Sequence, residues 1–330
     1  MKLGIIGSGM IVQDFLTITP ILPEIELTAI LGRKQSSEKI NNLVNKYHIQ
    51  KAYYDYEKLL NDHDIDTVYI ALPNHLHFQY AKKALECHKH VICEKPFTTN
   101  LKQLDQLIDL ATNNNCLLFE AITNQYLLAY QQIKEQLSTI GKISIVSCNF
   151  SQYSSRYDDF KQGIIHPVFD FNKAGGALMD LNVYNIHFVT GLFGQPNQVT
   201  YHANIENNID TSGILFLDYS DFKAVCIGAK DSSAPITSTI QGNLGCIKID
   251  GPVSVLNNIQ ILKNKGHSKQ IPTENHHHLF DEFKTFAQAI DHLDYNLANK
   301  MLQHSRIVMD VLTKAQKSAN LNFDSSTSNN

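Results

Sequence analysis

The chain has 330 residues, enough for two domains of ordinary size. Hydrophobic residues make up 43% of it and charged residues 18%, and the net charge of -4 comes with no long basic run, which argues against a nucleic-acid-binding protein. No stretch of about eighteen apolar residues predicts a membrane span, and the first residues do not resemble a signal peptide, so we expect a cytoplasmic globular protein.

Short apolar runs alternate with amphipathic segments up to about residue 120. The runs are KLGIIG (2–7), IELTAIL (25–31), DTVYIAL (66–72), HVIC (90–93) and CLLFE (116–120). Segments between them, such as 38–47 and 101–111, carry apolar residues at the spacing of one helix face. This alternation predicts a doubly wound parallel sheet, covered on both faces, and a dinucleotide-binding Rossmann domain over residues 1–121.

After about residue 140 the predicted strands follow one another with little helix between them. Among them are KISIVSCNFS (142–151), QVTYHANI (198–205), GILFLDY (213–219) and KAVCIGAK (223–230). One helix is predicted over 175–194, and two more close the chain near 277–291 and 294–317. Residues 122–330 are therefore expected to form an α+β domain.

A glycine-rich turn follows the first predicted strand. The segment Gly7-Ser8-Gly9-Met10-Ile11-Val12 matches the G-x-G-x-x-G fingerprint at its first two glycines, and Val12 replaces the third. Gly7 permits the tight turn and Gly9 lets a pyrophosphate approach the backbone, at the N-terminus of a helix that starts near Met10 and Ile11. The alternative is a purely structural strand-to-helix turn.

The end of the second predicted strand favours NADP over NAD. An acid there would bind the ribose hydroxyls of NAD, but the strand runs into Gly32-Arg33-Lys34. The guanidinium of Arg33 can pair with a 2′-phosphate. The alternative is that Arg33 and Lys34 only begin a solvated helix, and NAD stays the second candidate cofactor.

Polar residues follow two more predicted strands, at the sheet edge where open α/β sheets bind ligands. Pro73-Asn74-His75 follows the run 66–72, which ends at Leu72, and Glu94-Lys95-Pro96 follows the run 90–93. Leu72, Pro73, Asn74, Glu94 and Lys95 are the candidate cofactor-binding residues of these two loops. Lys95 would then face the nicotinamide end of a dinucleotide bound over the glycine turn. A lysine held there can bind a substrate oxygen and stabilise the alkoxide charge of hydride transfer. The alternative is that Glu94-Lys95-Pro96 forms an ordinary surface loop.

The glycine turn, LPNHLH (72–77), VICEKPF (91–97) and GGALMDLNVYNIH (175–187) together resemble the glucose-fructose oxidoreductase, inositol dehydrogenase and rhizopine-catabolism protein (Gfo/Idh/MocA) family. The resemblance covers nearly the whole chain. It implies a C-terminal domain with an open, mostly antiparallel sheet that binds substrate and mediates assembly, so we expect a homodimer or homotetramer. It implies a catalytic or substrate-binding role for Lys95 and a contact of Asn74 with the cofactor near the nicotinamide ribose. It also places His77 beside the cofactor. The alternative is that His77 only caps its helix or packs against it.

The resemblance also assigns roles on the helix predicted at 175–194. Asp180 and Tyr184 are four residues apart and share a helical face with His187. In the family the aspartate contacts substrate and the residue four later is the acid/base, for which many members have histidine. Tyr184 at this position resembles the glucose-fructose oxidoreductase and dihydrodiol dehydrogenase branches, which carry tyrosine. A nearby Lys95 would lower the pKa of Tyr184 from its usual value of about 10. His187 is the reserve acid/base or a buried histidine with a partner, and Asn182 stands where the family commonly has glycine.

No metal site is predicted. The histidines 276–278 point in different directions around a helix, so an exposed helix start is the better interpretation. The six cysteines form no C-x-x-C pair.

The favoured function is an NAD(P)-dependent oxidoreductase that acts on CH–OH groups. It would move a hydride between nicotinamide and the carbinol or carbonyl carbon of a sugar-like or cyclic polyol substrate. The alternatives are a non-catalytic dinucleotide-sensing regulator of the same fold and a reductase of a dihydrodiol or dicarbonyl. A regulator has no need to keep Lys95, Asp180 and Tyr184 together, so their joint presence favours catalysis.

Overall fold

The computed structural model describes residues 1–273, 276–321 and 323. The chain divides into two compact units, Met1–Ala121 with Leu279–Gln303 and Ile122–His278 with His304–Asn330. None of the helices in the described residues combines the length and the apolar character needed to cross a membrane.

In the described part of the chain, the first unit is built on a six-stranded parallel sheet with the order β3-β2-β1-β4-β5-β6. Its strands are β1 (Lys2–Ile6), β2 (Glu26–Leu31), β3 (Lys51–Tyr53), β4 (Thr67–Ile70), β5 (His90–Glu94) and β6 (Leu118–Ala121). This is the strand order of a doubly wound dinucleotide-binding sheet, so the predicted Rossmann fold is confirmed. The apolar runs predicted every strand except the short β3.

Helices connect these strands: α1 (Met10–Ile18), α2 (Ser37–Tyr47), α3 (Tyr56–Leu60), α4 (Asn74–Glu86) and α5 (Leu101–Asn113). Local capping defines where two of them begin. The Asp55 carboxylate accepts a hydrogen bond from the Lys58 amide before α3, and the Asn100 side chain accepts one from the Gln103 amide before α5.

A helix from late in the chain belongs to the first unit. This helix is α9 (Phe280–Asp291), and its Phe283 packs on two aromatic rings of the first unit. The Phe283 centroid lies 4.1 Å from that of Phe15 and 5.0 Å from that of Tyr69. Phe286 similarly packs on Phe119, with centroids 5.1 Å apart. Because these rings are buried together, residues 279–303 group with the first unit, whereas the sequence analysis assigned them to the second domain.

Among the residues that the structure describes, the second unit has an eight-stranded mixed sheet with the order β14-β13-β12-β11-β7-β10-β9-β8. Its strands are β7 (Ile143–Ser151), β8 (Gln198–Glu206), β9 (Ile209–Asp218), β10 (Lys223–Ala229), β11 (Thr237–Gly242), β12 (Gly245–Asp250), β13 (Ile259–Lys263) and β14 (Lys269–Ile271). In this described set β7 and β10 pair in parallel and the other neighbours are antiparallel, which confirms the mostly antiparallel sheet.

The remaining helices are α6 (Leu128–Gln136), α7 (Tyr157–Lys161), α8 (Val183–Phe193), α9 (Phe280–Asp291) and α10 (Tyr295–Ser318). The helix predicted over 175–194 does not begin as an α-helix. Leu178–Asn182 form a π-helical turn that leads into α8, and the Leu178 amide donates to the buried Asp210 carboxylate at 2.6 Å. Such turns in otherwise α-helical segments are frequent at functional sites.

We expect Phe283→Ala to lower the free energy of unfolding of the first unit by about 3–5 kcal/mol, because it leaves a cavity among Phe15, Tyr69 and Phe286. Urea unfolding followed by circular dichroism measures this. Gln288→Ala, on the exposed side of the same helix, is the matched control and should change the value by less than about 0.5 kcal/mol. Equal effects of the two substitutions would contradict the assignment of α9 to this unit.

Candidate active site

Three loops of the first unit lie at one edge of its sheet. Strands β1, β4 and β5 are parallel neighbours, so their carboxyl ends meet there. The glycine turn follows β1, Leu72-Pro73-Asn74 follows β4, and Lys95-Pro96 follows Glu94, the last residue of β5. The strand order thus brings the predicted cofactor residues of these three loops to the edge where such sheets bind ligands.

The glycine turn has the geometry that a dinucleotide requires. Gly7 has a φ of +116°, and a Cβ on it would lie 2.5 Å from the Ala71 carbonyl oxygen, so no other residue fits without strain. Gly9 precedes α1, and no described atom lies within 4 Å of a Cβ built on it. The open space at a helix N-terminus fits a pyrophosphate. Met10, 70% exposed, and the half-buried Ile11 form the first turn, while Val12 is fully buried.

Two cationic side chains follow β2. Arg33 is exposed and has extended backbone geometry just before a short 3-10 turn. Lys39, in the first turn of α2, donates a hydrogen bond to the Ser8 carbonyl of the glycine turn at 2.5 Å. Lys39 was not identified from the sequence, where its only signal was a lysine eight residues after the end of β2.

The loop that carries Lys95 is held by two buried groups. The Tyr69 hydroxyl donates to Glu94 Oε1 at 2.6 Å, and the Phe97 amide donates to Glu120 Oε1 at 3.0 Å. Burial raises the pKa of Glu94 above its usual range. Lys95 is half-buried between these two anchors, and its peptide bond to Pro96 is cis. Tyr69 and Glu120 were not identified from the sequence, although Glu120 ends an otherwise apolar strand.

His77 links two of the three loops. Its side chain is fully buried, with Nδ1 2.9 Å from the Pro96 carbonyl oxygen and Nε2 2.7 Å from the Leu72 carbonyl oxygen. Burial lowers the pKa of His77, while the hydrogen bonds to the two carbonyl oxygens act in the opposite direction. These contacts make His77 a link between the β4 and β5 loops, while Asn74 begins α4 half-buried.

In the second unit, Asp180 and Tyr184 lie on the less buried side of their helix. Both are half-buried, while Asn182 and Val183 between them are fully buried. Asp180 Oδ2 accepts a hydrogen bond from Lys230 Nζ at 2.7 Å. The Lys230 partner was missed, because a lysine at the end of a strand looks like a solvated strand terminus.

His187 does not share the surroundings of Asp180 and Tyr184. It is fully buried, and its Nδ1 lies 2.9 Å from Nε2 of His304 in α10. The side chain therefore matches the alternative in which it is a buried histidine with a partner. The histidines 276–278 precede α9 rather than beginning it, Asn275 lies outside the described residues, and the absence of a metal site stays a prediction.

The unexpected Asn182 has a structural explanation. Its Nδ2 donates to the Cys226 carbonyl at 3.1 Å, and its Oδ1 accepts from Asn185, which also donates to the Ile227 carbonyl. A Cβ on Gly228 would approach the Asn182 Cβ to 2.9 Å. Glycine in β10 thus makes room for the larger residue on the helix, and the two asparagines fasten this helix to β10.

Two family models match the chain. Residues 1–122 match the model of an oxidoreductase family with an NAD-binding Rossmann fold, and residues 130–247 match the model of the GFO/IDH/MocA C-terminal domain.

Several relatives are similar over most of their length. The chain is 34% identical over 251 residues to scyllo-inositol 2-dehydrogenase (NADP(+)) IolU of Bacillus subtilis, 76% of each protein. It is 30% identical over 267 residues to trans-1,2-dihydrobenzene-1,2-diol dehydrogenase of Xenopus tropicalis, 78% of each protein. Among solved structures, the 3-ketoreductase KijD10 of Actinomadura kijaniata in complex with TDP-benzene and NADP has a TM-score of 0.83 and 22% identity, over 97% of this chain and 98% of that one. At this identity the structural likeness supports the fold alone. The chain belongs to the GFO/IDH/MocA family of NAD(P)-binding oxidoreductases.

Proposed function

We propose that this oxidoreductase uses NADP to interconvert a hydroxyl and a carbonyl on a sugar-like or cyclic polyol, with Lys95 and Tyr184 managing the proton and Asp180 orienting the substrate. The observation that carries the proposal is the β5 loop. It holds a lysine half-buried between the Tyr69–Glu94 and Phe97–Glu120 hydrogen bonds, at the edge that also carries the open glycine turn. Such rigid support is what a group that stabilises developing charge needs.

When bound, the nicotinamide accepts or supplies the hydride. The Lys95 ammonium would donate a hydrogen bond to the reacting oxygen and stabilise its negative charge. The Tyr184 phenolate would take the proton from that oxygen in oxidation, and the resulting Tyr184 hydroxyl would return the proton in reduction. The Asp180 carboxylate would accept a hydrogen bond from a neighbouring substrate hydroxyl.

The names of two relatives narrow the substrate class. Scyllo-inositol and trans-1,2-dihydrobenzene-1,2-diol both denote six-membered carbon rings that carry neighbouring hydroxyls. A cyclic vicinal diol is therefore the first substrate to test. The second of these names also favours the alternative of a dihydrodiol or dicarbonyl substrate, and both classes belong in the same screen.

The preference for NADP rests on the charge beyond β2. Arg33 is exposed there, and Lys39 donates a hydrogen bond to the glycine turn. Two cations would therefore lie near the 2′-phosphate on the adenosine ribose of a bound NADP. The name of the Bacillus subtilis relative includes NADP(+).

We also propose a cytoplasmic homodimer, or a homotetramer built from it, that pairs through the outer face of the mixed sheet. All six cysteines are free thiols, as is usual in a reducing compartment. The outer face carries Ile145, Ile214 and Phe216, which are 46%, 40% and 48% exposed. An apolar patch of this kind is typical of an interface between subunits.

We expect Lys95→Ala to lower kcat about 100- to 1,000-fold, because it removes the donor to the reacting oxygen. Its affinity for NADPH, from nucleotide fluorescence, should stay close to that of the wild type. Turnover is followed by the absorbance of the reduced nicotinamide over a panel of cyclic polyols, sugars and dicarbonyls. Lys102→Ala, an exposed lysine in α5, is the matched control. Undiminished turnover by Lys95→Ala would remove the proposed role.

We expect Arg33→Ala to weaken NADP binding about tenfold or more while changing NAD binding little, because one charged hydrogen bond to the 2′-phosphate is lost. Isothermal titration with each nucleotide measures the two affinities. Lys46→Ala, an exposed cation at the other end of α2, should alter neither. Equal losses for both nucleotides would contradict the cofactor assignment.

We expect Phe216→Asp to convert the proposed dimer into monomers, because it places a charge in the apolar face. Sedimentation velocity measures the mass in solution. Leu244→Asp substitutes an equally exposed apolar residue at the β11–β12 turn and should leave the assembly intact. A wild-type protein that sediments as a single chain would refute the proposal directly.

A further inference from the structure

We propose that Lys230 is a positioning residue that acts through Asp180: it holds the Asp180 carboxylate in one orientation for substrate binding, and its contacts with the loop 152–168 keep Lys230 in place. The inference rests on the role proposed above for Asp180. Nothing in the sequence resemblance assigns a role to this lysine.

Lys230 directly follows β10 and is almost completely buried, with 3% of its side chain exposed. Its ammonium donates to Asp180 Oδ2 at 2.7 Å and to the Val168 carbonyl at 2.8 Å. The same nitrogen lies 4.6 Å from the centre of the Phe169 ring, at the distance of a cation–π contact. One charge thus joins the helix that carries Tyr184 to the end of the preceding loop.

The backbone of Lys230 holds the beginning of that loop. The Ser154 amide donates to the Lys230 carbonyl at 2.8 Å, after the Gln152 amide donates to the Ala229 carbonyl at 2.9 Å. The residue therefore contacts the loop at Ser154 through its backbone and at Val168 through its side chain. Between these points lie Arg156 and His166, polar side chains that are only half-buried, whereas Tyr157 is buried and donates to Glu206.

The cost of burying a charge indicates why position 230 is a lysine. A buried ammonium costs several kcal/mol unless it is paired and hydrogen-bonded, and an apolar residue of similar size is often as stabilising as a buried ion pair. Stability alone therefore does not require Lys230. Its value lies in holding the Asp180 carboxylate in one orientation, which a substrate-binding carboxylate needs.

The test compares Lys230→Met, Lys230→Arg, Asp180→Asn and the double variant Lys230→Met/Asp180→Asn. We expect Lys230→Met to lower kcat/KM about 100-fold, chiefly through a higher KM, with unchanged affinity for NADPH. Lys230→Arg should recover most of the loss, because it keeps the charge and two donors. The double variant should be no worse than Asp180→Asn alone, since Lys230 acts through Asp180. Lys269→Met, an exposed lysine in β14, is the matched control.

The outcomes separate the two proposals. If Asp180→Asn keeps full activity, the proposed role of Asp180 is wrong, and this inference falls with it. If Asp180→Asn is impaired but Lys230→Met is not, or if the losses multiply in the double variant, only the inference about Lys230 is wrong. Should Lys230→Met fail to fold, Lys230→Gln and Lys230→Arg carry the comparison, and equal KM values for the two would overturn the role of the charge.

Discussion

The parallel pairing of β1 with β4, and of β4 with β5, is the constraint on which the candidate site of the first unit depends. Parallel neighbours end at the same edge, so loops that are far apart along the chain become neighbours in space. Buried polar contacts then fix these loops: His77 joins the β4 and β5 loops, and Tyr69 and Glu120 hold the residues on either side of Lys95. The strand topology brings the three loops to one edge of the sheet, and these side chains hold the loops in fixed positions there.

The second unit uses a different device for the same purpose. Its helix is fastened to β10 through Asn182, Asn185 and Lys230, each of which bridges the helix and the strand or its end. Because these side chains hydrogen-bond across the contact between the helix and β10, the helix has little freedom to rotate or slide along the strand. Asp180 lies in the π turn before α8, so its backbone is held in place by these contacts.

The features that could be predicted from the sequence are those that depend on local patterns of residues. Buried parallel strands are continuous apolar runs, so five were recognised, whereas β3 was missed because its three residues are partly exposed. The glycine turn and Lys95 could be assigned because a general rule puts ligands beyond the strand ends. The π turn could not be predicted, since the apolar spacing there also fits an α-helix. Tyr69, Glu120 and Lys230 were missed because strand register and tertiary packing decide which buried polar group meets which loop.

The pair formed by Asn182 and Gly228 has an evolutionary consequence. The helix and β10 approach so closely that only one of these two positions has room for a side chain. A relative with glycine on the helix could therefore carry alanine on the strand, although the Ala177 carbonyl oxygen, 3.3 Å from a Cβ at position 228, limits any larger residue. Such coupled substitutions would preserve the helix–strand distance but remove the hydrogen bond from Asn182 to the Cys226 carbonyl.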